Sequence, residues 1–165
     1  MRYVHSIRSL LSVSAATLAL VVIAQPAAAG FEEGLKALQA GDATTAEKEL
    51  LPLARERDPR AQFLLGFYIY GGAESKLFDI NKAAPMLLDA AERGYLPAMI
   101  PLAGAYAEGN GVPKSAFEAY KWVAIAERWN VPNANLALEQ AARDLSPDEV
   151  AKAKAAAQAY AFKTK

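Results

Sequence analysis

The feature that most constrains this chain is an internal repeat with a period in the mid-thirties. A first half reading AQFLLGFYIYGG returns as AMIPLAGAYAEGNGV, and a second half reading DINKAAPMLLDAAERG returns as SAFEAYKWVAIAER. Corresponding positions are displaced by 36 or 37 residues: Ala61 and Ala98, Leu65 and Leu102, Gly72 and Gly109, Asp79 and Ser115. Two helical halves that recur at this spacing predict a helix-turn-helix solenoid. Stacked repeats present a long continuous surface, which is typical of proteins that bind other molecules.

The repeat extends toward the N-terminus and fades toward the C-terminus. Asp42, Ala46 and Leu53 precede their counterparts in the central copy by 37 residues, so a third helix pair comes first. Beyond Arg128 the pattern is replaced by two further amphipathic helices, and the last of them is predicted to run from Ser146 to about 162. A terminal helix must cover the last apolar face of a solenoid. We therefore predict an all-α solenoid of three helix pairs plus C-terminal capping helices, with repeats at about 30–57, 58–94 and 95–130 and the cap at 131–165.

Local signals place the helix ends. Asp42 and Asp79 are predicted helix N-caps, because an aspartate side chain can accept a hydrogen bond from a free backbone N–H of the first turn. Pro85 lies six residues after Asp79, which predicts a late start or a kink in that helix, since an interior proline costs about 3 kcal/mol. Pro101 predicts an irregular first turn in the third pair. The sequence EGNGVP over 108–113 predicts a turn with two glycines at positive φ.

The N-terminal segment has the parts of a secretory signal peptide. Basic residues precede an apolar run over 10–24, and small residues over 27–29 follow a Gln-Pro break. We predict cleavage between Ala29 and Gly30, which leaves 30–165 as a single solenoid domain in the periplasm or outside the cell. An uncleaved membrane anchor is the alternative, but this run is shorter than the ~20 residues that a spanning helix needs. We expect no stable membrane insertion after cleavage.

Charge and residue usage exclude several classes of function. The chain has 18 basic and 18 acidic residues, and because Arg2 and Arg8 lie in the predicted leader, residues 30–165 carry 16 basic residues against 18 acidic ones. This net charge of −2 gives no electrostatic reason to expect binding to nucleic acid. The chain has no cysteine, and its one histidine, His5, lies in the leader. We therefore expect neither a metal nor a cofactor in the mature part.

At its repeating positions the chain resembles the Sel-one-like repeat (SLR) family, a variant of the tetratricopeptide fold. The matching residues of the central copy are Ala61, Leu65, Gly66, Gly72, Asp79, Lys82, Ala83, Ala90, Ala91 and Gly94. Those of the next copy are Ala98, Leu102, Tyr106, Gly109, Gly111, Val112, Ala119, Trp122 and Ala126. Met86 departs from the usual aromatic residue, and the G-x-G-V turn is missing after Gly72. The resemblance covers about residues 30–130 and implies a right-handed solenoid with scaffold roles in envelope processes or secretion.

We predict that the protein is not an enzyme. Three serines remain after the leader, Ser75, Ser115 and Ser146, and their positions in a loop or at helix starts indicate turn and capping roles. A pair of carboxylates acting as acid and base is the alternative. Neighbouring acids such as Asp148 and Glu149 usually belong to a solvated helix face, so this alternative needs two close acids in a cleft with raised pKa values.

The candidate partner site lies on the first helix of the central pair. The resemblance places Arg60, Phe63, Phe67 and Tyr70 on the concave side, and the next pair contributes Ile100 there. The i, i+4, i+7 spacing of the three aromatic residues predicts one ridge along the helix. Such a ridge beside an arginine can anchor a peptide or a partner helix. The alternative is that these rings are core, packed against neighbouring helices or the C-terminal cap.

The sequence supports two hypotheses about function, from different classes. The first is a non-enzymatic scaffold that binds another exported protein, or a peptide segment of one, along the concave face. The second is a binder of envelope glycan, or a regulator of an envelope enzyme, with Tyr106 and Trp122 as aromatic platforms. Trp122 also matches a packing position of the repeat, which favours the first function.

Overall fold

The structure, a computed structural model, describes residues 26–163, and over these residues the chain is helical with short connections and has no β-strand. The first four helices are α1 (Pro26–Gln39), α2 (Ala43–Arg55), α3 (Pro59–Leu64), which continues as a π-helix over Leu65–Tyr70, and α4 (Ile80–Glu92). The next four are α5 (Met99–Glu108), α6 (Ala116–Arg128), α7 (Ala134–Ala141) and α8 (Pro147–Ala159). Most of the predicted leader lies outside the described residues, and its last four residues are the first four of α1.

The helices pack as the repeat predicts. α1 packs on α2, α3 and the π-helix on α4, and α5 on α6. The two C-terminal helices both pack on α6 and make few contacts with each other, so each covers a different part of that helix. The predicted all-α solenoid of three helix pairs with C-terminal capping helices is confirmed.

The core has two parts that meet at the central pair. Leu50, Leu65 and Ile69 lie in the N-terminal part, whereas Met99 and Leu102 lie in the C-terminal part. The largest fully buried side chains are Trp122, Tyr70, Leu50, Leu65, Ile69, Met99, Leu102 and Ile125. Phe63 packs against both parts, so the first helix of the central pair joins the two halves of the solenoid.

Side-chain caps begin the helices at the predicted positions. The Asp42 carboxylate accepts from the Thr45 N–H at 3.0 Å, and the Asp79 carboxylate accepts from the Asn81 N–H at 3.2 Å. Before α8, Ser146 forms a capping box with Glu149. These contacts satisfy N–H groups that have no partner within the first helical turn.

The prolines act differently from one another. α4 begins at Ile80, directly after its Asp79 cap, and runs through Pro85, so the alternative of a late start is wrong. Pro85 is exposed, and burial of the neighbouring Ala84 and Leu87 stabilises the helix in spite of the missing N–H. The irregular first turn of the third pair is confirmed, because Leu96–Ala98 is a 3-10 helix that precedes α5.

The turn between α5 and α6 packs closely on the start of α4. Gly109 and Gly111 have φ of 81° and 71°, which confirms the predicted glycine turn. A Cβ atom added to Gly111 would lie 2.1 Å from the Ile80 carbonyl oxygen and 3.0 Å from the Ala84 Cβ. Only a residue without a side chain fits there, so this turn fixes the distance between the second and third pairs.

Residues 160–163 form a short non-helical segment that ties the cap to the central pair. The last helix ends at Ala159 and not near Phe162 as predicted, because the chain turns extended at Tyr160 and folds back. The Lys163 N–H donates to the Glu92 carbonyl at 2.8 Å. The Tyr160 ring packs on Trp122, with ring centroids 5.1 Å apart. The segment after Ala159 is thus held by a hydrogen bond to α4 and by ring packing on α6, and not by a further helical turn.

A polar cluster joins the first two pairs. The Arg57 guanidinium donates to both Asp89 oxygens at 2.7 and 3.3 Å, and the buried Gln62 amide donates to Asp89 Oδ2 at 2.5 Å. Partial burial raises the pKa of Asp89, but the hydrogen bonds from Arg57 and Gln62 outweigh it, and the pKa lies below its usual value. Asp89 is therefore a charged link between α4 and the preceding pair.

Replacing Asp89 with asparagine is expected to lower the free energy of unfolding by about 1–2 kcal/mol at neutral pH, because hydrogen bonds to a charged group are weakened. The folded-state pKa lies below the ordinary value of 3.8, so the unfolded chain binds the proton first as the pH falls. The contribution of Asp89 is complete well above that value and is lost as the pH falls through the folded-state pKa. Urea denaturation of both proteins at neutral pH and near pH 3 measures this difference.

The matched control is Asp144→Asn. Asp144 is exposed and makes no side-chain hydrogen bond within the described residues, so its replacement should change stability little at either pH. An Asp89→Asn effect that stayed constant down to pH 3 would contradict the charge-dependent role.

Candidate functional site

The aromatic residues of the predicted site lie on α3, which contains Phe63, and on the π-helix that continues it, which contains Phe67 and Tyr70. The predicted ridge is present at Phe63 and Phe67, whose rings stack with centroids 5.5 Å apart and an interplanar angle of 7°. From Leu65 to Tyr70 the chain forms the π-helix, in which hydrogen bonds join residues five apart and the turn is wider than in an α-helix. Each residue of the π-helix is therefore rotated about the helix axis by a smaller angle than in the α-helix that the i, i+7 spacing assumes.

Tyr70 does not belong to the ridge, which corrects the prediction from spacing. The wider turn directs Tyr70 into the N-terminal core, where its side chain is 2 % exposed. Its hydroxyl donates to a Glu47 carboxylate oxygen at 2.5 Å. Burial and this hydrogen bond raise the pKa of Tyr70 well above its ordinary value. Tyr70 thus links the central pair to α2 and is not available to a partner.

Tyr68 takes the outward position that spacing gave to Tyr70. It is 48 % exposed and meets the Phe67 ring edge-on at 4.9 Å, while Phe67 itself is 41 % exposed. Tyr95 completes the group by packing on Phe63 at 5.3 Å. We refer to Phe63, Phe67, Tyr68 and Tyr95 as the aromatic cluster. The sequence signal for the π-helix is the pair Gly66 and Gly71, one near its start and one directly after its end. Glycine lowers the stability of an α-helix at both positions.

Arg60 lies at the start of α3 and is engaged within the protein. Its guanidinium donates to both oxygens of Asp58 at 2.6 and 3.1 Å and lies 4.4 Å from the centre of the Phe31 ring. The hydrogen bonds that Arg60 donates to Asp58 raise the pKa of Arg60. Arg60 therefore braces α1 against α3, and its charge is already paired.

Ile100 lines an apolar groove along α5. One cavity of about 220 Å³ lies between α5, α6 and α7 and is lined by Ile100, Val123 and several alanines. A second cavity of about 220 Å³ lies between the π-helix, α4 and α5, and Phe67 forms part of its wall. Gly104 lines both cavities and is exposed, and a Cβ atom added to it would meet nothing within 4 Å. We call the two cavities with Gly104 between them the α5 groove.

The α5 groove adjoins the aromatic cluster through Phe67, which belongs to both. Of the five predicted site residues, the structure thus brings Phe63, Phe67 and Ile100 to one continuous surface. The other two, Arg60 and Tyr70, are engaged in contacts with the first helix pair.

The aromatic platforms that a glycan site needs are less accessible. Trp122 is 2 % exposed and packs in the core against Tyr160, as its match to a packing position of the repeat predicts. Burial raises the pKa of Tyr106, whose side chain is half-buried.

Within residues 26–163 no group of three or more histidine, cysteine or acidic side chains is arranged to hold a metal ion. Within the same range, no helix is both long enough and apolar enough to span a membrane.

The chain is similar in structure to a protective antigen present in uropathogenic Escherichia coli strains, whose crystal structure displays an SLR fold. The two align with a TM-score of 0.72 and 24 % sequence identity, over 80 % of this chain and 29 % of the antigen. The chain thus spans less than a third of the antigen. No protein-family model matches the sequence, and no curated protein matches it. The structural likeness establishes an SLR-like repeat fold, as the resemblance in sequence predicts.

Proposed function

We propose that this protein is an exported, non-enzymatic scaffold that binds a segment of another exported protein along the aromatic cluster and the α5 groove. The observation that carries this proposal is the continuity of exposed rings with apolar cavities: Phe67 and Tyr68 project outward beside a groove whose wall Phe67 itself forms. Aromatic residues at the edge of an apolar groove are the usual anchors of protein interfaces.

The size of the cavities supports a protein partner over a small molecule. Ligand sites for small molecules usually have volumes of about 300–1,000 Å³ and enclose most of the ligand. Each cavity of the groove, at about 220 Å³, is smaller and open to the surface. Cavities of this kind accept single side chains of a peptide or helix laid along the surface.

Export is part of the proposal because of the leader-like segment before α1. Cleavage after Ala29 would leave α1 to begin at Gly30, so that the helix loses four residues and keeps its contacts with α2 over most of its length. N-terminal sequencing of the protein isolated from fractionated cells tests this step. A mature protein that begins at Gly30 supports export, and one that begins at Met1 contradicts it.

The binding surface can be tested by site-specific photo-crosslinking in the producing cells. A photoreactive phenylalanine analogue at position 67 should crosslink one recurrent protein partner. The matched control is position 78, because Phe78 is also exposed, at 52 %, but lies in the loop between the π-helix and α4, outside the cluster and the groove. Identical products from both positions, or recovery of glycan fragments alone, would contradict the proposal.

Truncation of the two exposed rings is expected to weaken partner binding without unfolding the protein. Phe67→Ala and Tyr68→Ala should each reduce affinity about 10- to 30-fold, as is common for aromatic anchors. Both side chains are partly exposed, so each change should cost no more than about 1 kcal/mol of folding stability. Titration of the crosslinked partner, together with thermal melting curves, measures both quantities. Loss of stability with unchanged affinity would show that the rings are core.

A further inference from the structure

We infer that the segment bound in the α5 groove carries a basic side chain next to an apolar anchor, with the anchor between α5 and α7 and the basic group at Asp144. This inference rests on the proposed function and specifies its partner. It is carried by the chemistry of the groove lining, which is mainly apolar and includes one acidic residue in each cavity.

The floor of the groove has the shape of a receptor for one aliphatic or aromatic side chain. Between α5, α6 and α7 it is lined mainly by alanines, with Ile100 and Val123 as the larger apolar residues. Gly104 leaves the α5 backbone open toward solvent, so a partner segment can approach it more closely than it could approach a larger residue. Burial of one such side chain is favourable because it removes apolar surface from water on both partners.

The ionisable residues of the groove lining all carry charge of one sign. The ionisable residues that line the two cavities are Asp144 on the α7 side and Glu108 on the α4 side, and no lysine or arginine lines either cavity. Within residues 26–163 Asp144 has no ion pair or side-chain hydrogen bond, while Glu108 accepts one hydrogen bond from Asn110. Both carboxylates are therefore available to a cation, and an acidic partner would be repelled.

Neutral Gln140 lies beside Asp144 in the same lining and can donate to a backbone carbonyl of the partner. Gly104 lines both cavities, one of which contains Asp144 and the other Glu108, so a segment that lies across α5 at Gly104 has an acid in each of the cavities it covers. The groove thus favours a peptide with lysine or arginine within one or two residues of a leucine, isoleucine, methionine or phenylalanine.

The probe for this inference is a displayed library of random 12-residue peptides, selected on the full chain. The selected peptides should be enriched in lysine or arginine beside an apolar residue. A synthetic peptide from the selection should bind Asp144→Lys about 5- to 10-fold more weakly than wild type, because attraction is replaced by repulsion. Exchange of its basic residue for glutamate should restore binding to Asp144→Lys and weaken binding to wild type.

Two further variants separate the possible outcomes. Asp148→Lys makes the same charge change at an exposed acid outside both linings, and it should leave binding nearly unchanged. Gly104→Trp fills the groove and should abolish binding, while Gly104→Ala, which meets nothing within 4 Å, shows that the position tolerates a side chain.

If no selected peptide depends on Gly104 or Phe67, both the proposed function and this inference fail. If peptides depend on Gly104 but are acidic or neutral, or bind Asp144→Lys and wild type alike, the groove is a binding site and this inference alone is overturned. A charge effect that Asp148→Lys reproduces would also overturn it, because the attraction would then come from the net charge of the protein.

Discussion

Gly111→Ala is expected to lower the free energy of unfolding by about 2–5 kcal/mol. The φ of 71° at Gly111 belongs to the left-handed region, where a residue with a Cβ atom costs about 1–2 kcal/mol. The added Cβ would also lie 2.1 Å from the Ile80 carbonyl oxygen, which is backbone at the start of α4 and cannot rotate away. Moving the turn or α4 to relieve this contact costs a further ~1–3 kcal/mol. Urea denaturation followed by circular dichroism measures the total.

Gly41→Ala is the matched control for this prediction. Gly41 also has a left-handed φ, of 76°, but a Cβ atom added there would meet nothing within 4 Å. Its replacement should therefore cost only the conformational part, about 1–2 kcal/mol. Equal losses in the two variants would show that the contact with α4 contributes nothing, contrary to the geometry.

Trp122→Ala is expected to destabilise the protein by about 3–5 kcal/mol, the range for removal of a large buried aromatic side chain. The ring is almost fully buried, and it packs against Tyr160 of the C-terminal segment. Its removal therefore leaves a cavity beside α6. It also removes a packing contact of Tyr160, which belongs to the segment that ties the cap to α4. Thermal and urea unfolding monitored at helical wavelengths test this prediction.

The matched control is Trp129→Ala, because Trp129, the second tryptophan of the chain, is 50 % exposed. Trp129→Ala should cost less than about 1 kcal/mol, because much of the side chain is already in water. Fluorescence separates the two environments: emission of Trp122, the indole left in Trp129→Ala, should lie at shorter wavelength than emission of Trp129. If Trp122→Ala left stability unchanged, Trp122 would be a surface residue, and a glycan platform at that position would deserve testing.

The fold could be predicted because its determinants are local and recur along the chain. Asp42, Asp79 and Ser115 each begin a helix through a hydrogen bond that a single short side chain makes within its own turn. The repeated small and aliphatic positions face neighbouring pairs, as Ala83 and Leu102 do. Where the fold differed from prediction, at Pro85 and after Ala159, contacts between distant elements outweighed the local preference.

The candidate site was predicted only in part because its geometry depends on the type of helix. Spacing along an α-helix correctly places Phe67 beside Phe63, but one wider turn exchanges the roles of Tyr68 and Tyr70. The wide turn closes tightly: a Cβ atom at Gly71 would lie 2.6 Å from the Gly66 carbonyl oxygen. Sequence periodicity does not record such a change in hydrogen bonding. The apolar groove was also missed, since it arises from α7 and α5 lying opposite each other.

Because of the π-helix, inserting or deleting one residue in this segment affects the exposed aromatic surface more than it affects the packing of the solenoid. A turn closed by bonds between residues five apart contains one residue more than an α-helical turn between the same ends. Loss of Tyr68 alone would let Leu65–Tyr70 return to ordinary α-helical bonding, with the flanking helices still in place. An insertion or deletion of one codon can therefore create or erase the exposed aromatic surface, while the solenoid that carries it persists.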